Sequence, residues 1–133
     1  MVLKELLLVG AAGLFFNLFA ADTVIDRETK LEWQDNEEKS EALWKIARGY
    51  CQGLKLNGHD DWRLPTLKEL HYLAASKSLQ KEFKTLQTHV YWSSDIDKND
   101  EFSAMCLYSG NGFVSSNDKC DKNFVLCVRD LKE

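Results

Sequence analysis

Proline is almost missing from this chain: Pro65 is the single one among 133 residues. With no Pro-rich linker, no low-complexity stretch and no internal repeat, nothing divides the polypeptide into several domains. No apolar stretch reaches the roughly 20 residues that span a bilayer; the longest, Leu6 to Phe19, has about 14. Lys and Arg form no block, and 17 of them stand against 21 Asp and Glu for a net charge of −4. Nucleic acid is therefore disfavoured as a partner, because such binding rests on clustered cations. The four cysteines contain no C-x-x-C pair, which argues against a zinc knuckle and a thioredoxin-like redox site.

What is present begins with the apolar run itself. Lys4 precedes it and Asn17-Leu18-Phe19-Ala20-Ala21-Asp22 ends it. That pattern reads as a secretory signal peptide over residues 1–21, cleaved after Ala20 or Ala21, with a retained N-terminal anchor or a buried helix as the alternative. No Cys stands near the cleavage point, so no lipid anchor and no stable membrane span after processing is expected. The remaining domain, 22–133, has roughly 112 residues, enough to bury about two-thirds of its unfolded surface around one core. All four cysteines, 51, 106, 120 and 127, lie within it. An even count in an exported domain reads as a disulfide framework, with three connectivities open.

Two short strands, Val24–Asp26 and Lys30–Gln34, flank the polar turn 27–29 and predict a hairpin with Trp33 on the core face. From Ser40, an N-cap residue type, Leu43, Ile46, Ala47, Tyr50, Cys51 and Leu54 follow a helical period, and Gly53 and Asn57-Gly58 mark its exit. The stretch Asp60 to Leu70 changes character halfway. Pro65 forces Leu64 to be extended, and Thr66 with Glu69 has the capping-box spacing for a helix running to about Ala75. Ser76 to His89 predicts a polar surface loop with at most one helical turn. Strands follow at 90–94, 102–108 and 113–115, the last two joined by Gly110-Asn111-Gly112. A final strand, Asn123 to Arg129, is apolar on both faces and so suits the centre of a sheet. Two helices followed by antiparallel strands make the fold class α+β: two helices on one small twisted sheet.

Together Leu31-Glu32-Trp33-Gln34-Asp35, Tyr50-Cys51, Asp61-Trp62-Arg63-Leu64-Pro65-Thr66 with Glu69-Leu70, Tyr91-Trp92-Ser93-Ser94 and Cys127-Val128-Arg129 resemble a known family. It is the bacterial domain named for the C-terminal region of Legionella collagen-like proteins (Lcl), long known as a domain of unknown function. The resemblance covers nearly the whole of residues 22–133. It implies a C-type-lectin-like fold, with kinship to the formylglycine-generating and sulfatase-modifying domains, and a disulfide-stabilised domain outside the cytoplasm, in the periplasm, secreted or at the cell surface. It also implies the pairing Cys51–Cys127, helix to last strand, and with it Cys106–Cys120.

The candidate sites each have a plainer reading. Trp62 and Arg63 make a ligand platform if the guanidinium is free to grip an anion; otherwise Trp62 fills the core and Arg63 pairs with Asp60, Asp61 or Glu69. Asp95, Asp97 and Asp100 alternate as calcium ligands do, but the loop lacks the Gly and the closing Glu of an EF-hand, so a solvated loop is the rival reading. Calcium is the one cofactor in view. His59, His71 and His89 with Ser93 or Ser94 show no spacing that joins them into a triad. The aromatic set Trp44, Tyr72, Tyr91, Trp92, Tyr108 and Phe113 divides between core packing and a sugar-stacking surface. The loop-like stretch Gly110 to Asp118 is the expected place for recognition, with Tyr108, Asn111 and Phe113 as its contact residues. The function expected is a non-catalytic binding module of the bacterial envelope, its partner a glycan, a peptide or another envelope protein. The rival classes are an enzyme of the formylglycine-generating kind, which needs reactive thiols, and a structural subunit of an envelope assembly.

Overall fold

The computed structural model describes residues 22–37 and 40–132; the signal peptide read at residues 1–21 lies outside them. Strand β1 (Thr23–Asp26) pairs antiparallel with β2 (Leu31–Gln34), placing Val24 opposite Trp33. The turn between them takes Lys30 through a positive φ of 60°. Trp33 is buried as its alternation predicts, but Glu32 and Gln34 are buried on the opposite face as well. Both faces of this strand are covered.

Helix α1 runs over Trp44–Gln52, with Leu43 as N-cap and no side-chain cap hydrogen bond. The start read at Ser40 is corrected, because Ala42 is already engaged as a strand, exchanging backbone hydrogen bonds of 3.0 and 3.2 Å with Asn123. Trp44 then defines the inner face, followed by Ala47 and Cys51. Ile46, two residues on and so about 200° around the axis, points outward at 61% exposure instead of joining the buried stripe. Asn57-Gly58, with φ of 56° and 79°, forms a two-residue hairpin turn closed by Leu56 and His59. Helix α2 (Leu67–Ala75) starts at a complete capping box: Thr66 Oγ1 accepts from Glu69 N (3.1 Å) and Glu69 Oε1 accepts from Thr66 N (2.9 Å). The single turn expected in the following loop is α3 (Lys77–Gln80).

The second sheet has the order β3-β4-β5, from β3 (Val90–Ile96), β4 (Ser103–Tyr108) and β5 (Val114–Asp118), all antiparallel. The last strand, β6 (Val128–Asp130), joins β2. There are thus two three-stranded sheets, β1-β2-β6 and β3-β4-β5, where the sequence suggested one. The stretch read as a central strand from Asn123 is the seam between them. Phe124 exchanges backbone hydrogen bonds with Val90 and Trp92, Cys127 O accepts from Gln34 N, and Val128 exchanges a pair with Arg63. Its apolar character is explained by burial among both sheets rather than by a long ladder.

One core cluster gathers Trp44, Trp62, Trp92, Ala104, Cys106 and the bridge Cys51–Cys127 under α1. The other gathers Trp33, Leu70, Leu73, Tyr91, Leu107 and Leu126 under α2. The fold is α+β, closed by one disulfide between residues 76 apart in sequence. Among the described residues no helix is long and apolar enough to cross a membrane.

Candidate functional site

The Trp62-Arg63 pair is not a free platform. Trp62 is buried, and its Nε1 donates to the carbonyls of His59 (3.2 Å) and Leu56 (3.3 Å), which locks the Asn57-Gly58 turn. Arg63 donates from both terminal nitrogens to Glu69 and from Nη2 to Asp130, each at 2.9 Å. These hydrogen bonds raise its pKa despite partial burial and tie the start of α2 to the last strand. The neighbouring Asp61 answers to another arginine: Arg129, itself buried, donates to Asp61 and to Glu32, each at 2.6 Å. Burial raises the Glu32 pKa, but hydrogen bonds from Asn57, Thr23 and Arg129 outweigh it and hold the carboxyl below its usual range. This buried ion pair was not legible beforehand, since Glu32 alternates with Trp33 as a solvent-facing residue does.

The calcium candidates do not converge. Asp95 Oδ2 accepts from Leu67 N at 2.7 Å, at the first turn of α2. Asp97 accepts from Asn99 N and Ser116 Oγ, and Asp100 from Phe102 N and Ser103 Oγ. Each carboxylate is committed to a different turn, and among the described residues no three His, Cys, Asp or Glu side chains form a metal-holding group.

Cys106 and Cys120 are unbridged, which corrects the second disulfide. The register sets Ser103 opposite Asp118 and Ser115 opposite Cys106. Cys120 therefore lies past one end of the ladder, while Cys106 sits about 10 Å inside it at roughly 3.3 Å per residue. Bridged cysteines need Cα atoms within about 7 Å. Cys106 points into the core, where burial pushes its thiol up to about 12. A paired-thiol active site is not assembled. Ser93 is buried, with its hydroxyl donating to Met105 O at 2.8 Å, and His89 is stacked flat on Phe124 at 3.8 Å.

The β4–β5 hairpin is different. Phe113 is 72% and Tyr108 36% exposed, and Val114 follows at 47%. The tip that carries them is closely held. Asn111 Oδ1 accepts from Phe113 N at 2.9 Å, Gly112 takes a φ of 79°, and Tyr108 N donates to Phe113 O. Gly110 is needed for space, since a β-carbon there would stand 2.6 Å from Tyr108 Cε2 and 2.8 Å from Thr88 Cγ2. At the base, Ser109 Oγ donates to Gln87 O and accepts from His89 N. Two aromatic side chains are thus presented to solvent on a backbone with little freedom to move.

A hollow of about 580 Å³ lies elsewhere, between the end of β2, the Leu54–Leu56 segment and Lys84-Thr85. Its wall is organised by Asp35, a buried carboxylate that accepts from Lys84 N, Thr85 N and Thr85 Oγ1. The charged stretch after Gln34, which shows no periodicity, was its sole trace in the sequence. A family model described as the Lcl C-terminal domain matches residues 22–129. No curated protein matches the chain.

Proposed function

Because the chain belongs to the Lcl C-terminal domain family, we propose that it is an exported, non-catalytic binding module of the bacterial envelope whose β4–β5 hairpin tip makes the contact. One observation carries this reading: Phe113 and Tyr108 are exposed on a tip that Asn111, Gly110 and Gly112 hold in place. Exposed aromatics on a rigid turn offer contact area at small ordering cost, and their faces stack on sugar rings and apolar side chains alike. An envelope glycan is the ligand we assign first. The motifs that looked chemically promising, by contrast, are engaged in hydrogen bonds and ion pairs of the fold itself. The Cys51–Cys127 bridge and the apolar leader support a place outside the cytoplasm, in the periplasm or at the cell surface.

The test is binding to an array of envelope glycans, with Phe113→Ala and Tyr108→Ala beside the unmodified chain. Retention that weakens about tenfold or more in Phe113→Ala, at an unchanged Tm, is the expected result; about 1.4 kcal/mol corresponds to that factor. Retention indifferent to both substitutions would remove the hairpin from the site. A chain that no glycan retains would overturn the glycan assignment.

A further inference from the structure

We infer that the ligand of the hairpin tip is a neutral pyranose chain, held by ring stacking and by hydrogen bonds to its hydroxyls, in preference to any uronate or sulfated glycan. This names the ligand class for the reading above and rests on it. Charged residues make up 29% of the chain, yet the three segments that meet at the tip have no Asp, Glu, Lys or Arg. They are Phe102 to Asn117, which contains the whole tip, Thr85 to Ser94, and Leu70 to Ser76. The second supports the tip through Gln87, Thr88 and His89. The third reaches it at Ala74, whose β-carbon lies 3.9 Å from where one on Gly112 would stand. Their two histidines are His71, on α2, and His89, stacked on Phe124.

An anionic sugar brought to such a surface gives up water around its carboxylate or sulfate and gains no Arg or Lys in exchange. Along β5 the first basic residue after Phe113 is Lys119, about 20 Å away at roughly 3.3 Å per residue. Its ammonium is already engaged, donating to Glu101 O at 2.8 Å and lying over the Trp44 ring. What the tip offers is neutral. Tyr108 stands opposite Phe113, the rung after Leu107 and Val114, so both rings project from one face of the hairpin. Ser115 follows Phe113 on that face. Asn111 gives its Oδ1 to Phe113 N. Its Nδ2 makes no hydrogen bond among the described residues, and neither do the hydroxyls of Tyr108, Thr88 and Ser115. Ring faces beside unspent hydroxyl and amide groups match a sugar, whose C–H face stacks while its hydroxyls donate and accept. An apolar peptide would use the rings but leave the polar groups unpaired where it covered them.

The class is tested by isothermal titration calorimetry of the full chain at low and high salt. The probes are oligomers of glucose and of N-acetylglucosamine, an oligouronate and a sulfated oligosaccharide, all of matched length. Binding to a neutral oligomer that salt leaves unchanged is the expected result, with both anionic probes at least about tenfold weaker. Phe113→Tyr is expected to keep that binding and Phe113→Leu to weaken it about tenfold at an unchanged Tm, because a ring face is required and not apolar area alone. An anionic probe preferred in a Phe113-dependent way overturns the neutral class while leaving the tip as the site. Sugar binding indifferent to Phe113 and Tyr108 removes the tip, and the inference with it. Binding of no sugar, or of an apolar peptide in place of every sugar, overturns the glycan assignment and the neutral class together.

Discussion

Arg129 holds two carboxylates at once, and its side chain is only 5% exposed. Removing one partner of a buried pair leaves an uncompensated charge, which costs about 3–5 kcal/mol. Arg129→Ala is therefore expected to destabilise the domain by that amount in urea denaturation. Arg63→Ala, whose guanidinium is a third exposed, should cost markedly less. The same pair sets an acid limit. Hydrogen bonds from Arg129, and then from Lys132, outweigh burial and pull the Asp61 carboxyl down to about 2. A folded pKa below the unfolded one contributes stability that is complete above about pH 4 and is lost as pH falls toward 2. Asp61→Asn should accordingly flatten the loss of stability between about pH 4 and pH 2, followed by circular dichroism on acid titration; an unchanged acid limb would show that Asp61 is not linked to folding. Of the two unbridged cysteines, Cys120 is exposed, while Cys106 is buried with its thiol pushed up to about 12. Alkylation at mildly alkaline pH should modify Cys120 alone in the native protein, and Cys106 only after denaturation. Prompt native labelling of Cys106 would contradict the packing around Trp44 and Trp92.

At the scale of elements, α2 is the one whose start could be read beforehand to the residue, because a capping box is a local pattern four residues long. Thr66→Ala should cost about 1 kcal/mol, and Glu69→Ala more, since Glu69 also accepts both hydrogen bonds from Arg63. Thermal melts of the two variants decide it: equal losses would mean that the Arg63–Glu69 contact adds nothing to the cap. The contribution of Asp95 was not legible, because it reaches Leu67 N across 28 residues and resembles a calcium ligand in a linear reading. Helix α1 shows the opposite limit. Its hydrophobic spacing was real, but backbone pairing of Ala42 with Asn123 displaced its N-cap by three residues, from Ser40 to Leu43. Tertiary pairing of this kind overrides a good N-cap type without leaving any mark on the local sequence.

For the molecule as a whole, the elements were legible and their assembly less so. An apolar stretch such as Phe124–Val128 reads identically whether it is the middle of one sheet or the seam between two, since both bury it on all sides. A core strand position and a bridging cysteine likewise have the same pattern, so the residues could not correct the Cys106–Cys120 pairing that the family resemblance implied, and only the β4–β5 register separates the two. Of the candidate site, the aromatic hairpin tip was visible from its turn residues, whereas the Asp35-centred hollow needed contacts some 50 residues apart. The remaining bridge carries the architecture. Cys51 anchors α1, and Cys127 lies in the seam beside β6, so the closed loop of 76 residues contains α2, α3 and the whole of β3-β4-β5. In the chain-entropy account, closing a loop of that length restricts the unfolded state by about 4.5 kcal/mol. Net stabilities of domains this size are only about 5–15 kcal/mol. Replacing both cysteines by Ala is thus expected to lower the urea midpoint steeply, by up to about 4.5 kcal/mol in stability, while leaving the far-ultraviolet circular dichroism of the folded fraction unchanged. Single replacement should be at least as damaging, since it leaves an unpaired thiol in the same tight cluster as Trp62 and Trp92. A double variant as stable as the bridged protein would mean that the two core clusters hold the seam without covalent help.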